Sequence, residues 1–330
     1  MIRDSSWPHL AGAAAGGSGV RHQAMIGRDS AECAEAVLTF VEDGLRHGEA
    51  VSIGLSAALG RRLGRVLGSQ RLVAYFDMTE LGRNPGRIIA AMLDFARTHA
   101  GGAPAVRDQP GPPLRYVSEP FWAGRSDAER AETARHEALV EPALAGTPAP
   151  ATVLCVYNSG RLDAEAIDCA ERMHPVVIAG GQLRASAEYV GSGVVPPDCD
   201  RPLAPVPPGA TRLGYRDDLR AVRETVADCA AEAGLAPGRI TDLMLAVSEV
   251  AANTLRHTRE PGTLHVWRAG DEIICQVTDS GEIGDPLVGR RRPAADSFRH
   301  GGLWVVNQVC DLVELRSGPD GTTVRMHVRL

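Results

Sequence analysis

The feature that most restricts the fold of this chain is a proline-rich stretch over residues 191–210. It includes Val195-Pro196-Pro197 and Ala204-Pro205-Val206-Pro207-Pro208-Gly209. Proline has a fixed φ and no N–H group, so such a stretch favours an extended, stiff linker over helix or sheet. We therefore predict a flexible tail over 1–18, a first domain over 19–190, the linker over 191–210 and a second domain over 211–330. Both domains are long enough to bury a core of their own.

The composition describes a globular protein and argues against two classes of partner. Hydrophobic residues make up 44% of the chain and charged residues 23%, while the formal net charge is -6. That charge predicts no direct binding to nucleic acid or to an anionic membrane. The seven cysteines form no CxxC pair, which favours buried, reduced thiols. No stretch approaches the roughly 20 apolar residues of a membrane helix. We therefore expect a cytoplasmic protein.

The first domain alternates helical and strand-like patterns, as α/β folds do. The patterns predict helices over 32–47, 56–67, 85–99 and 163–173, and strands over 48–55, 72–76 and 151–157. This order implies a mostly parallel sheet covered by helices on both faces.

The second domain has a different order of elements. Helices are predicted over 217–233, 239–256 and 303–311, and strands over 263–267, 273–279, 313–317 and 322–328. Helices interleaved with hairpin-like strand pairs indicate an α/β sandwich with a mixed sheet.

Two polar residues of the helix over 239–256 are suited to phosphate chemistry. Glu249 and Asn253 are four positions apart, so they project from one face of the helix. An amide oxygen is a neutral ligand for Mg²⁺, and a carboxylate can accept the proton of an attacking hydroxyl. On its own, the pair is better explained as a solvated polar pair on an exposed face.

Two glycine-containing clusters follow along the chain. Asp279-Ser280-Gly281 ends an apolar strand, where an aspartate can accept a hydrogen bond from the amino group of adenine. An ordinary turn is the alternative. His300-Gly301-Gly302-Leu303 begins the last helix, where free N–H groups and the helix dipole favour phosphate.

Taken together and in this order, the three clusters resemble the N, G1 and G2 boxes of the histidine-kinase-like (GHKL) ATPase superfamily. Gly321-Thr322-Thr323-Val324 resembles its terminal strand. The resemblance implies the GHKL (Bergerat-type) fold, with ATP and Mg²⁺ as cofactors. It implies that Asn253 holds Mg²⁺ and that Glu249 acts as the general base. It further implies that Asp279 reads adenine with support from Thr322, and that Gly281, Gly301 and Gly302 line the nucleotide.

Within the superfamily, Leu245 to Asn253 and Gly302 to Gln308 look most like bacterial anti-sigma-factor serine/threonine kinases. Such proteins phosphorylate Ser or Thr of an antagonist protein and sequester a sigma factor. A non-catalytic regulator, in which ATP gates protein binding, is the alternative, because His300 stands where the family usually has glycine. A conventional histidine kinase is disfavoured, since no helix pair with an exposed histidine precedes Asp217.

The oligomeric state stays open, with a homodimer common among such kinases. Arg290-Arg291-Arg292 belongs to the presumed lid, where a solvated loop is favoured over a phosphate or partner contact.

Several short sequence segments of the first domain resemble the MEDS sensory domain, which is related to RecA-like folds. They include Asp77 to Pro85, Glu119 to Ser126 and Arg135-His136-Glu137. No GxxxxGK[ST] loop is present, so no ATP is predicted there. Glu119, Trp122 and Arg125 are candidates for a sensory pocket that binds an unknown signal ligand. The alternative is a structural turn in which Trp122 packs and the two charges pair. His22 and His136 are expected to be structural histidines.

Overall fold

The computed structural model describes residue 7 and residues 19–67, 72–99, 111–197, 199, 201–258, 260–294 and 301–330. The chain divides into two units, Met1–Arg83 with Ala91–Arg201 and Asn84–Ala90 with Pro202–Leu330. The tail predicted over 1–18 lies outside the described residues except for Trp7. That indole is buried and packs edge-on against Phe40, with ring centroids 5.0 Å apart.

The first unit is built on a seven-stranded sheet with the order β3-β2-β4-β5-β1-β6-β7. Its strands are β1 Val20–Gly27, β2 Ala50–Leu55, β3 Val73–Asp77, β4 Leu114–Ser118, β5 Ala151–Asn158, β6 Val176–Ala179 and β7 Gln182–Ala185. The described pairings are parallel apart from the hairpin of β6 and β7. This confirms the predicted α/β fold with a mostly parallel sheet.

The helices of this part of the chain follow the strands as crossover connections. They are α1 Ser30–Arg46, α2 Ala57–Leu67, α3 Ile88–His99, α4 Asp127–Leu144 and α5 Ala164–Met173, with a 3₁₀ turn at Pro85–Arg87 before α3. Local caps fix where two of them begin. The Asp29 carboxylate accepts the N–H groups of Ala31 and Glu32 at the start of α1, and Ser126 forms a reciprocal capping box with Glu129 at the start of α4.

The second unit has a five-stranded sheet with the order β11-β12-β10-β9-β8. Its strands are β8 Thr211–Tyr215, β9 Gly262–Ala269, β10 Glu272–Asp279, β11 Leu312–Gly318 and β12 Gly321–Arg329. Every pairing among these strands is antiparallel, so the sheet is antiparallel where the sequence predicted a mixed one. Tight turns join β9 to β10 and β11 to β12, and such turns connect only antiparallel strands, which accounts for two of these four pairings.

Three helices accompany this sheet, namely α6 Leu219–Glu232, α7 Pro237–His257 and α8 Gly302–Val309. The buried stripe of α7 includes Leu243, Ala246, Val247 and Val250, which belong to the same core as the inward residues of β9, β10 and β12. Burial of this stripe fixes the rotation of α7 about its axis. It thereby determines where the polar residues on the neighbouring face of α7 point. Within the described ranges, no helix combines the length and the apolar character needed to cross a bilayer.

Candidate functional site

The carboxylate of Asp279, at the end of β10, is held by two hydrogen bonds from the protein. The Thr254 hydroxyl on α7 donates to Oδ2 at 2.6 Å, and the Gly281 N–H donates to Oδ1 at 2.8 Å. Behind Thr254, the buried Tyr215 hydroxyl donates to Thr254 Oγ1 at 3.0 Å. A carboxylate has about four acceptor positions, so two such bonds orient Asp279 and leave acceptor capacity for a ligand.

Asp279 lies in the wall of a cavity of about 500 Å³ in the second unit. The sequence-predicted residues Asn253, Gly281 and Thr322 also line this cavity. Aliphatic side chains supply much of the remaining wall, namely those of Val250, Ile283, Val288, Leu303 and Val324. A mostly apolar cavity with a few oriented polar groups is the usual form of a small-molecule site.

Glu249 and Asn253 meet the beginning of α8 on the adjoining side. A methyl group placed on Gly302 would lie 2.8 Å from Glu249 Oε2 and 3.6 Å from Asn253 Nδ2. Gly302 is therefore the residue that lets α8 approach these two side chains. Gly301 precedes it as the N-cap and is buried. The first N–H groups of a helix have no partner within the helix, so this end is suited to an anion.

Thr322 and Gly321 shape the backbone around Asp279 from β12. The Thr322 hydroxyl donates to the Gly281 carbonyl at 2.7 Å and accepts from Ser317 Oγ at 2.7 Å. Gly321 has a φ of 116°, and a methyl group there would lie 2.2 Å from the Asp279 carbonyl oxygen. Only glycine fits this position, which keeps β12 close to the Asp279-Ser280-Gly281 turn.

The loop before α8 is described only in part. His300 lies outside the described residues, which omit 295–300. Of the three arginines predicted for the lid, Arg291 and Arg292 are exposed and Arg290 is buried. The Arg292 guanidinium lies 5.7 Å from the centre of the Trp304 ring, so it has an aromatic neighbour on α8.

A second cavity, of about 340 Å³, lies in the first unit at the carboxyl ends of the parallel strands. Glu119 and Trp122 line it, together with Ser56 after β2 and Asn158 at the end of β5. The Ser56 N–H donates to Glu119 Oε2 at 2.8 Å. Burial raises the pKa of Glu119 above its ordinary value, and the Ser56 hydrogen bonds offset this only in part.

Arg125, the third residue predicted for this pocket, is not among the lining residues. Its guanidinium is stacked on Trp122 at 3.5 Å and donates to the carbonyls of Pro120 and Gly82. It supports the cavity wall from behind Trp122. It does not pair with Glu119, whose described hydrogen bond comes from Ser56.

Sequence reasoning missed Thr254 and Tyr215, which orient Asp279. Thr254 directly follows Asn253 and is buried on α7, and a buried hydroxyl needs a partner. That requirement was the available signal, but only the fold shows that the partner is Asp279.

These features define the class of the second unit. Helices pack on an antiparallel sheet, and one of them presents Asn253 to a cavity that ends at Asp279, which is the arrangement of a histidine-kinase-like ATPase domain. The family described as histidine kinase-like ATPase domain matches residues 215–328. The MEDS family (MEthanogen/methylotroph, DcmR Sensory domain) matches residues 21–175. The chain therefore carries an N-terminal MEDS domain and a C-terminal histidine-kinase-like ATPase domain, which confirms both resemblances.

Two solved structures are similar to parts of the chain. The RsbU and RsbW domains of a Mycobacterium tuberculosis protein match with 23% identity and a TM-score of 0.27, over 38% of this chain and 33% of that one. The SiaB–SiaC complex from Pseudomonas aeruginosa matches with 11% identity and a TM-score of 0.30, over 36% of this chain and 88% of that one. The chain thus spans only a minor part of the length of the first structure. None of the curated proteins matches it.

Proposed function

We propose that the second unit binds ATP with Mg²⁺ and phosphorylates Ser or Thr of an antagonist protein. In this proposal the chain is an anti-sigma regulatory factor, which binds a sigma factor when the antagonist is unavailable. The observation that supports it best is that Asn253, Asp279, Gly281 and Thr322 line one cavity, with Gly302 packed against Glu249 beside it. We further propose that the protein acts in the cytoplasm, and a homodimer is compatible with this role.

The residues present fit such a nucleotide. The oriented Asp279 carboxylate accepts a hydrogen bond from the adenine amino group, the aliphatic wall takes the ring, and the N-terminus of α8 faces the phosphates. Bound ATP supplies the phosphoryl group, and Mg²⁺ neutralises charge on the phosphates. Asn253 is placed to hold the cation through Oδ1, which accepts a hydrogen bond from the exposed Arg256 at 2.9 Å. Arg256 has to turn away for that role, and its exposure makes this movement inexpensive.

Replacing Asp279 by Asn tests the adenine contact. Both carboxylate oxygens accept hydrogen bonds from the protein, so an amide NH₂ placed there faces a donor and disturbs the turn. Loss of a charged acceptor costs roughly 1.5–3 kcal/mol, so we expect ATP affinity to fall about 10- to 150-fold. Isothermal titration calorimetry with ATP and GTP measures this change, and the preference for ATP is expected to disappear.

Asp320→Asn is the matched control, since Asp320 is exposed in the turn between β11 and β12. Circular dichroism spectra of both variants establish that the second unit is folded. Wild-type affinity and selectivity in Asp279→Asn would show that this carboxylate does not read the base.

A non-catalytic regulator remains the second candidate, in which ATP gates protein binding without transfer. Incubation with labelled ATP, Mg²⁺ and candidate antagonist proteins distinguishes the two. Label on a Ser or Thr of the antagonist supports the kinase. Tight ATP binding that changes sigma-factor or antagonist affinity, with no label transferred to the captured native antagonist, supports the regulator.

For the MEDS domain, we propose that the cavity beside Glu119 and Trp122 receives the signal ligand. An aromatic face next to a half-buried carboxylate suits a small molecule with an apolar body and a donor or cationic group. A cavity carboxylate whose charged form is disfavoured by desolvation, despite hydrogen bonds from Ser56 and the nearby charge of Arg161, is typical of a binding residue.

Replacing Glu119 by Gln is therefore expected to stabilise the protein at pH 7. Burial raises the folded-state pKa of Glu119, so the folded protein binds its proton more tightly than the unfolded chain does. The free energy of unfolding that the Glu119 charge costs is thus smallest at low pH and grows as pH rises through the folded-state pKa. Urea unfolding should show Glu119→Gln to be more stable than wild type at pH 7, with a smaller difference at pH 5.

The exposed Glu35 on α1 provides the control, and Glu35→Gln is expected to change stability by no more than about 0.5 kcal/mol. If Glu119→Gln is less stable than wild type at pH 7, Glu119 stabilises the turn through Ser56. The proposed binding role would then lose its support.

A further inference from the structure

Four side chains with metal-ligating atoms meet in the interior of the MEDS domain, away from the cavity beside Glu119. They are His22 on β1, Glu137 on α4, Cys155 on β5 and His174 between α5 and β6. One ligand atom from each lies within 4.8 Å of all the others. Their exposed fractions are 3%, 1%, 0% and 0%. The sequence predicted His22 to be a structural histidine and singled out none of the other three as a ligand.

The fold explains why distant parts of the sequence meet here. His22 pairs with Val153, and Ala24 pairs with Cys155, in the parallel β1–β5 ladder. Side chains two residues apart share a face of a strand, so His22 and Cys155 are diagonal neighbours on one face of the sheet. α4 and α5 both contact β1, and they bring Glu137 and His174 onto that face.

The distances resemble the edges of a tetrahedral metal site. His22 Nε2 lies 3.3 Å from Cys155 Sγ and 3.8 Å from Glu137 Oε2, and His174 Nε2 lies 3.1 Å from the same oxygen. Bonds of about 2.0–2.3 Å to a tetrahedral Zn²⁺ place neighbouring ligand atoms roughly 3.3–3.8 Å apart. Only small movements are needed for all four atoms to surround one ion.

The orientation of His174 is that of a metal ligand. Its Nδ1 lies 2.7 Å from the Ala170 carbonyl, so Nδ1 carries a hydrogen, and in the neutral ring the Nε2 lone pair faces the cluster. Among the described residues, His174 Nε2 makes no hydrogen bond of acceptable geometry, although the atom is fully buried. The Tyr157 hydroxyl donates to Glu137 Oε2 at 3.0 Å, in the way that outer hydrogen bonds orient a ligating carboxylate.

We propose that His22, Glu137, Cys155 and His174 bind one transition-metal ion of the Zn²⁺ type. Zn²⁺ accepts nitrogen, sulfur and oxygen ligands together, and four protein ligands leave no open position, which is the pattern of a structural site. Binding releases the proton of the Cys155 thiol. The thiolate, the carboxylate, two neutral imidazoles and the dication then form a site of zero net charge, which suits a dry interior. The ion links β1, α4, β5 and the segment before β6, so we expect it to stabilise this domain.

The experiment measures the metal content of the full-length protein expressed in zinc-supplemented medium. We expect about one zinc per chain in the wild type and a loss of most of it in Cys155→Ala and His174→Ala. Cys33→Ala is the matched control, because Cys33 is a buried free cysteine of the same domain outside the cluster. It should keep its zinc. Removal of the metal with a chelator should lower the Tm of the wild type and leave that of Cys155→Ala unchanged.

A second measurement stays informative if the alanine variants fail to fold. The wild-type protein reconstituted with Co²⁺ should show a thiolate-to-cobalt charge-transfer band in the near ultraviolet. His174→Cys, which keeps a ligand at that position, should retain the metal and intensify the band. Wild-type protein with no zinc and no cobalt band would overturn the proposal and identify a metal-free hydrogen-bond cluster. So would zinc that persists in both alanine variants.

Discussion

Replacing Glu249 by Gln is expected to lower the rate of phosphoryl transfer about 10²- to 10⁴-fold and to leave ATP affinity nearly unchanged. Glutamine has the shape of glutamate, so the packing of this side chain against Gly302 is kept. In the proposed kinase reaction, this change removes the carboxylate that would accept the proton of the attacking Ser or Thr hydroxyl. Single-turnover transfer to the antagonist, with ATP affinity measured separately, resolves the two effects.

The position of Glu249 is the reason for expecting a loss of transfer rate without a loss of ATP affinity. Glu249 is absent from the lining of the cavity that holds Asp279, but its Oε2 lies next to the start of α8. In the proposed function, the nucleotide base and the reacting phosphate would therefore contact different residues. A change at Glu249 should affect the chemical step, whereas a change at Asp279 should affect recognition of the base.

Glu232→Gln provides the control, because Glu232 is exposed at the end of α6 in the same unit. Transfer at the wild-type rate by Glu249→Gln would exclude Glu249 as the general base. If the wild type and the variant both bind ATP and neither transfers phosphate to the native antagonist, the non-catalytic regulator is the correct function.

The helix that carries Glu249 and Asn253 could be predicted because the pattern that identifies it lies within one short segment of the sequence. Its apolar residues recur with helical spacing, and its polar pair lies four residues apart, so both the element and the shared face follow from the sequence. The chain of hydrogen bonds from Tyr215 through Thr254 to Asp279 could not be predicted. It joins three elements that are distant in sequence, and its members are ordinary polar residues until the fold brings them together.

In the first domain, α4 shows where hydrophobic periodicity fails. Its buried positions include Glu132, Thr133, His136 and Glu137, so its inward face does not read as apolar. β1 fails for the same reason, since His22 and Gln23 are buried in it. These polar residues can be buried because they have hydrogen-bond or ion-pair partners in the interior. Where those partners lie on other elements, the hydrophobic pattern of a single segment does not reveal them. The buried cluster of His22, Glu137, Cys155 and His174 went unpredicted on the same grounds.

Replacing Arg115 by Met is expected to destabilise the first unit by about 3–5 kcal/mol. Arg115 is buried on β4, and its guanidinium donates to Asp43 Oδ2 at 2.7 Å and to the Phe40 carbonyl at 2.8 Å. It also pairs with Glu49. Methionine fills a similar volume but removes the buried cation beside the Asp43 carboxylate, which keeps only the exposed Arg46, at 3.1 Å, and His47, at 3.9 Å, as charged neighbours. Urea unfolding at pH 7 measures the loss, and Arg62→Met, at an exposed position of α2, is the control.

The pH dependence distinguishes a lost ion pair from lost packing. Burial alone would raise the pKa of Asp43, but Arg115 and the Trp7 backbone N–H hold it below its ordinary value. In the wild type, this pair therefore contributes stability above the unfolded-state pKa and loses it as pH falls through the lower, folded-state pKa. Without Arg115, Asp43 keeps the Trp7 N–H and the exposed Arg46 but loses its buried cation, so its folded-state pKa rises and protonation relieves part of the penalty. The stability difference between wild type and Arg115→Met should thus shrink from pH 7 to pH 4.

The double variant Asp43→Leu with Arg115→Met should recover much of the loss at pH 7, because it removes the buried charge itself. A difference that is independent of pH and is not recovered in the double variant would assign the effect to packing around Phe40.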